Sequence, residues 1–322
     1  MLTTVQDLGR WGFQSRGVSV SGPMDLYSHR LANALVGNPA DLATLEVTLV
    51  GPELEFGDSR IVAVAGASFD LTIEGAEVAM HTPWAVAGGA RLKFGRRKSG
   101  ARAYIGVASG IAVPPVLGSR ATHVTSAMGG VDGRALRAGD RLPLGPTADV
   151  AGSARRVDDG SIGRGLVRGS EARRFDDEAG GTPSPTRIRV MPGPQLEFFA
   201  SDALSVLQAA PYRVEPQSNR MAFRLSGQQV TRARDTEMIS DATPMGTLQV
   251  LPTGLPLLLM ADRQTTGGYP QLATVITADL PIAGQLAPGE SFTFRACTAA
   301  EAAAALIAQE RVLLTAESRW RS

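Results

Sequence analysis

The chain predicts a mostly-β protein of more than one unit, and three observations carry that expectation. Short β-prone runs recur along its 322 residues. Glycine (36) and proline (20) punctuate those runs. One long central segment lacks the large apolar residues a core requires.

The runs are RIVAVAG from Arg60, FDLTIEG from Phe69, AYIGVASG from Ala103, RIRVMPG from Arg187, TLQVLP from Thr247 and ATVITAD from Ala273. Each is four to eight residues of β-branched or aromatic-rich sequence closed by a turn former. GGARLKFG at 88–95, AGDRLPLG at 138–145 and PGESFTF at 288–294 share a further pattern: a glycine turn, a polar residue and an alternating strand. That repetition points to barrel-like construction.

Helical patterns are few. Leu26 to Val36 follows a candidate cap at Asp25, Glu197 to Leu207 forms a second stretch, and Thr298 to about Glu317 forms a third. In the third, Thr298 followed by Glu301 is a capping box ahead of an alanine-rich run of high helix propensity. Between Leu144 and Thr186 the chain is rich in charge, glycine and proline. Residues 151–186 are therefore expected to be a linker or mobile insertion between a β domain at 1–150 and a second at 187–322 that carries the terminal helix.

Thirty-two Lys plus Arg against 31 Asp plus Glu leave a net charge of +1, so no global field favours nucleic acid or a membrane surface. No stretch of about 18 apolar residues and no secretory leader is visible, and a cytoplasmic location is the expectation. The single cysteine, Cys297, excludes an internal disulfide and a cysteine-cluster metal site. His29, His81 and His123 lie far apart without zinc-site spacing, so no metal is expected. GRRKSG at 95–100 lacks the spacing of a phosphate-cradling loop, and GVSVSG at 17–22 is not a nucleophile elbow.

What remains is a set of polar, glycine-bearing loops, above all LLLMADRQTTGGYP at 257–270. Leu257 to Met260 can bury, whereas Asp262, Arg263, Gln264, Thr265 and Thr266 need partners if buried. Gly267 and Gly268 relieve Cβ restriction where the chain must turn, and Tyr269-Pro270 sets an extended exit. Arg220 and Arg224 flank Met221 and Phe223 in QSNRMAFRLSG. A turn does not need this many donors, and guanidinium groups with loop amides favour an anionic or carboxyl-bearing small ligand.

Taken in order, TTVQDLGR, GVSVSGPMD, LANALVGNP, LEVTLVGPELEF, VPPVLGSRAT, GRALRAGDRLPLG, MPGPQ, SNRM, LMADRQTTGGYP and IAGQLAPGESFTF resemble the family variously called KipA-like, allophanate hydrolase subunit 2 or the C component of 5-oxoprolinase. The resemblance covers nearly the whole chain and is similar in turn to part of the carboxyltransferase region of urea carboxylase. It implies two tandem cyclophilin-like β-barrel domains. It also implies partners: a KipI-like protein, the B component of 5-oxoprolinase, and a LamB/YcsF-like protein, its A component. Together these open the lactam of 5-oxoproline with ATP held at a shared surface between the proteins.

In that setting Asp262, Gln264 and Arg220 are the expected catalytic residues. Arg224, Asn219, Thr265, Thr266, Gly267, Gly268, Tyr269, Ser21 and Asp25 are the expected substrate-binding set. Arg220 and Arg224 would hold a carboxylate or phosphate, and Asp262 and Gln264 would position the lactam or nucleotide. Two other readings follow from the same resemblance. One is a carboxyltransferase-like component acting on a urea-like amide, with biotin supplied by another protein because no biotin-attachment motif is present here. The other is a non-catalytic antagonist of a KipI-like histidine-kinase inhibitor.

The chain departs from the family pattern at three places. Ala222 follows Met221 where glycine is usual, which would be strained at positive φ. Asp241-Ala242 replaces Glu-Gly, and Ser109 replaces the first glycine of Gly-Gly-Ile. Members usually carry several residues ahead of TTVQDLGR that would form a first strand, and a start placed too late at Met1 is one explanation.

Overall fold

A computed structural model describes residues 2–146, 186–234 and 239–318. The expected linker, 151–186, lies outside the described residues except for Thr186. The chain divides into two compact units that are discontinuous in sequence. One takes Met1–Arg10, Ser21–Arg173 and Glu310–Ser322; the other takes Trp11–Val20 and Arg174–Gln309.

The first unit is organised by two long strands, β4 (Arg60–Ile73) and β7 (Arg91–Val107), paired antiparallel. β2 (Thr44–Thr48) pairs β7 on its other edge, and β1 (Leu2–Gln6) pairs β2. Short β3 (Glu53–Glu55) adds to β7, while β5 (Ala76–Val78) and β6 (Trp84–Val86) add to β4. These strands form a seven-stranded sheet whose main path runs β1-β2-β7-β4-β5. The β4–β5 hairpin turns on Glu74 (φ 50°) and Gly75 (φ 82°), the two positive-φ positions of a primed turn that matches strand twist.

RIVAVAG in β4 is nearly continuous in apolar residues because both of its faces are buried. Val62 and Val64 join Val5, Leu45, Phe69, Leu92 and Ile105 on one side. Ile61, Ala63 and Ala65 face the other side, against Tyr27, Leu31 and Leu35 of helix α1 (Leu26–Leu35). Gly106 permits that helix to lie close: a methyl group there would sit 2.4 Å from the Ala32 carbonyl oxygen. Helix α1 begins as expected, with Asp25 Oδ1 accepting from the Ser28 N–H at 2.9 Å.

The second unit contains a closed barrel in the order β10-β13-β12-β15-β8-β16-β9. Its strands are β8 (Thr186–Pro192), β9 (Tyr212–Val214), β10 (Ala222–Ser226), β12 (Thr247–Val250), β13 (Pro256–Leu259), β15 (Gln271–Val275) and β16 (Ser291–Ala296). Period-two alternation buries Ile188 and Val190, Phe223 and Leu225, and Phe292 and Phe294. Outside the barrel, β11 (Asp241–Ala242) pairs with β14 (Thr266–Gly267). The mostly-β expectation holds, and the β-prone runs named above lie largely in strands, except ATVITAD, which leaves β15 after Val275 and ends in a 3-10 turn over Thr277–Asp279. Of the three repeated patterns, AGDRLPLG makes only a single bridge, Leu144 to Ile111.

The helix expected over Glu197–Leu207 is shorter than its pattern. A 3-10 turn covers Leu196–Phe198, and helix α2 starts only at Ala203, running to Ala209. Buried Phe199 is extended (φ −115°, ψ 163°) and bridges to Arg232, which breaks the helical run. A short helix α3 (Leu280–Gly284), with proline in its first turn, has no counterpart in the expectations.

Helix α4 (Ala299–Ser318) carries the expected capping box: Glu301 N–H donates to Thr298 Oγ1 at 3.2 Å, and Thr298 N–H donates to Glu301 Oε2 at 2.8 Å. Its second half counts with the first unit, where Leu313 and Ala316 join the α1 cluster and Arg30 forks onto Glu310 at 2.7 and 2.8 Å. No helix among the described residues is long and apolar enough to cross a membrane.

Candidate functional site

The polar run after β13 forms a strap, residues 260–270, that leaves the barrel beside β10 and returns as β15. β13 and β15 both pair antiparallel to β12, so this connection spans the strand between them. The strap begins as a continuation of the β10–β13 ladder: Met260 N–H donates to the Met221 carbonyl and Asp262 N–H to the Arg220 carbonyl, both at 2.8 Å. That register places two side chains 42 residues apart face to face. Arg220 Nε donates to Asp262 Oδ2 at 2.9 Å, Arg220 Nη2 donates to Oδ1 at 3.0 Å, and both residues are 6% exposed. The fork satisfies both carboxylate oxygens.

The middle of the strap docks on the segment leading into β12. Thr243 N–H donates to the Thr265 carbonyl at 3.1 Å, and the Thr243 hydroxyl donates to the Gln264 carbonyl. Arg263 Nε donates to the Thr243 carbonyl at 2.6 Å, and Ser19 Oγ donates to the Arg263 carbonyl at 2.9 Å. Burial lowers the Arg263 pKa, with the Asp262 charge opposing.

The end of the strap is pegged by a glutamine that a strand would not need for its own sake. Gln249 is fully buried; its Nε2 donates to the Tyr269 carbonyl at 3.2 Å, and its Oε1 accepts from Gln264 Nε2 at 3.4 Å. Gln271 Nε2 donates to the Ala242 carbonyl at 2.9 Å, and Gln195 joins Asp241 to the Gln271 N–H. The dense polarity of ADRQTTGGYP thus has a local cause: the strap crosses a sheet face, and its backbone and side chains satisfy one another and Gln249.

The expected site residues divide accordingly. Asp262 and Arg220 come together but are committed to each other. Gln264, Thr265, Thr266, Gly267 and Tyr269 all lie on the docked strap. Neither Gly267 nor Gly268 has positive φ, so backbone turning is not their reason. Gly267 instead leaves room for a side chain, because a Cβ there would lie 2.4 Å from Nε2 of buried Gln249, which would have to move. Asn219 folds onto its own loop, its Oδ1 accepting from the N–H groups of Met221 at 2.8 Å and Ala222 at 3.3 Å. Arg224 points outward between buried Phe223 and Leu225, on the face opposite to theirs, and pairs through backbone with Leu257. Ala222 has no positive φ and pairs with Leu259, so the expected strain is absent. Ser109 does carry it, at φ 70°.

Ser21 and Asp25 belong to the first unit. Asp25 is the helix cap described above, with Oδ2 also accepting from Ser28 Oγ at 2.6 Å. Ser21 is 6% exposed at φ 57°, and its hydroxyl has no partner among the described residues. Sequence reasoning assigned no role to Gln249, Thr243, Gln271 or Gln195. A polar residue in the β12 run TLQVLP was the available signal for Gln249. No group of three His, Cys, Asp or Glu residues suited to a metal occurs among the described residues.

The family profile described as carboxyltransferase domain, subdomain A and B, matches residues 16–296. The chain is 37% identical over 313 residues to the C component of 5-oxoprolinase from Escherichia coli, covering 97% of this chain and 93% of that one. It is 33% identical over 302 residues to the C component of 5-oxoprolinase from Haemophilus influenzae, covering 93% and 90%. Among solved structures, the K. lactis urea amidolyase matches with a TM-score of 0.84 at 30% identity, over 98% of this chain but 19% of that much longer one. Matched across most of its length by that profile and by relatives of its own size, the chain belongs to the carboxyltransferase domain, subdomain A and B, family.

Proposed function

We propose that this chain is the C component of a multi-protein 5-oxoprolinase, which opens the lactam of 5-oxoproline to glutamate with ATP. The observation that carries the reading is the match to the C components of E. coli and H. influenzae over at least 90% of both partners in each comparison. A KipI-like B component and a LamB/YcsF-like A component are the partners, and the assembly is cytoplasmic.

The strap supplies what such a reaction asks of this chain. An unactivated lactam carbonyl needs activation and fixed donors where charge develops, and donors held by prior hydrogen bonds need no reorganisation. Arg220 and Asp262 act as a positioning pair that fixes the strap. Gln264 and the hydroxyls of Thr265 and Thr266 are among the groups available to a small ligand. ATP, as co-substrate, would activate the amide oxygen by phosphorylation. GRRKSG runs inside β7, where Lys98 pairs with Asp70, and makes no phosphate cradle. Nucleotide contacts are therefore assigned to the surface shared with the partner proteins.

The test is reconstitution with both partner proteins, measuring glutamate release and phosphate release together. Stoichiometric ATP-dependent glutamate formation that disappears when this chain is omitted supports the assignment; equal turnover without it ends the assignment. A carboxyl-transfer reading has its own support in the family profile and in the urea amidolyase likeness. Turnover that requires bicarbonate and a biotinylated partner would favour it.

A further inference from the structure

Four charged side chains meet at the strap and the segment it docks on, and three of them are accounted for. Both oxygens of Asp262 are taken by Arg220. Asp241 Oδ2 accepts from Gln195 at 3.0 Å and Oδ1 from the Ala242 N–H at 2.7 Å. Arg263 has no counter-ion among the described residues: its guanidinium meets carbonyl oxygens, Thr243 at 2.6 Å and Met260 at 3.5 Å, while the neighbouring carboxylate is held by Arg220.

A neutral donor would serve to hold the Thr243 carbonyl. A charged group taken largely out of water without an opposing charge is unfavourable, and carbonyl dipoles do not neutralise it. Burial accordingly depresses its affinity for the proton. The backbone around it is fixed on both sides, by the Asp262 N–H on the Arg220 carbonyl at 2.8 Å and by Ser19 Oγ on the Arg263 carbonyl at 2.9 Å. The strap therefore presents a fixed, partly desolvated guanidinium with terminal N–H groups to spare, two residues from the Thr265 hydroxyl.

We propose that Arg263, rather than Arg220 or Arg224, is the oxyanion-binding group of the barrel unit, and that its ligand is the carboxylate of a small molecule. Arg220 is consumed by Asp262, and Arg224 lies exposed on the outer face of β10. The identity of that carboxylate as 5-oxoproline rests on the lactam-opening reading; the site itself does not.

The experiment is calorimetric titration of the full chain, at low salt, with 5-oxoproline, with its neutral carboxamide and with inorganic phosphate. Wild-type protein is expected to bind 5-oxoproline at least about tenfold more tightly than the carboxamide, the discrimination a charge-assisted fork supplies. Arg263→Met should abolish that preference, and Arg263→Lys, which keeps the charge, should retain part of it and guards against a folding defect in the first variant. Arg187→Gln, which removes an equal charge from an exposed position on β8, should leave the preference intact. Equal affinity of the wild type for acid and carboxamide, or a preference unchanged in Arg263→Met, overturns the proposal. Tighter binding of inorganic phosphate than of 5-oxoproline overturns the carboxylate assignment. Arg263-dependent binding in a chain whose reconstituted complex does not release glutamate ends the reaction assigned above and leaves this site standing.

Discussion

Replacing Asp262 with alanine is expected to damage the fold before it reports on chemistry. Asp262 and Arg220 are each only 6% exposed and share two hydrogen bonds of 2.9 and 3.0 Å. The alanine variant removes the carboxylate that Arg220 Nε and Nη2 hold in a buried place, a loss of about 3–5 kcal/mol for a buried pair broken on one side. At roughly 2–4 °C per kcal/mol for a unit of this size, the barrel should melt about 6–20 °C lower. Arg220→Met combined with Asp262→Leu removes both charges and keeps apolar bulk, and should recover most of that loss. Urea unfolding of the full chain, followed by circular dichroism for wild type, both single variants and the double variant, measures the coupling. An Asp262→Ala protein with the wild-type midpoint, or a double variant no more stable than the singles, would refute a buried, mutually dependent pair.

Three further outcomes follow from the geometry. Gly267→Ala puts a methyl group 2.4 Å from the amide of fully buried Gln249, which must release the Tyr269 carbonyl; a destabilisation of about 1–3 kcal/mol is expected, with faster proteolysis within 260–270, and unchanged cleavage would contradict the strap's dependence on this contact. Ser109→Gly relieves a left-handed backbone at φ 70° and should stabilise by about 0.5–1 kcal/mol, the conformational relief less the entropy glycine adds to the unfolded chain; a lower melting temperature would count against it. His29 is fully buried between Thr44 and the Ala40 carbonyl, and desolvation lowers its pKa to about 4. Because the unfolded chain takes up that proton near pH 6.5 and the folded chain resists it, this contribution is complete above about pH 6.5. It falls away as the pH drops toward about 4, by about 3 kcal/mol in all. Urea midpoints from about pH 7 to about pH 4.5 should show that slope, and a His29→Asn protein should lack much of it.

Local signals carried much of the architecture. Alternation in AFRLS and SFTFR and the nearly continuous apolar run RIVAVAG mark strands, because side-chain period and burial are properties of a few consecutive residues. Asp25 and the Thr298–Glu301 box mark helix starts for the same reason. The pattern misled where a distant partner intervened: Glu197–Leu207 looks helical alone, but Phe199 bridges to Arg232 and the helix waits until Ala203. The polar density after LLLM was legible too, but not its cause, which is the docking of the strap on Thr243 and Gln249.

Composition and motif order by themselves mark a mostly-β chain that resembles its family and carries an unusually polar segment after Leu257–Met260. Tertiary structure alone decided what each strap residue does. The register of β10 against β13 brings Arg220 onto Asp262 across 42 residues, Gln249 rather than backbone torsion explains Gly267, and Arg263 emerges as the strap charge left unneutralised. The physical reason is that charge compensation and close contact depend on pairs brought together by folding, whereas propensity and periodicity depend only on neighbours along the chain.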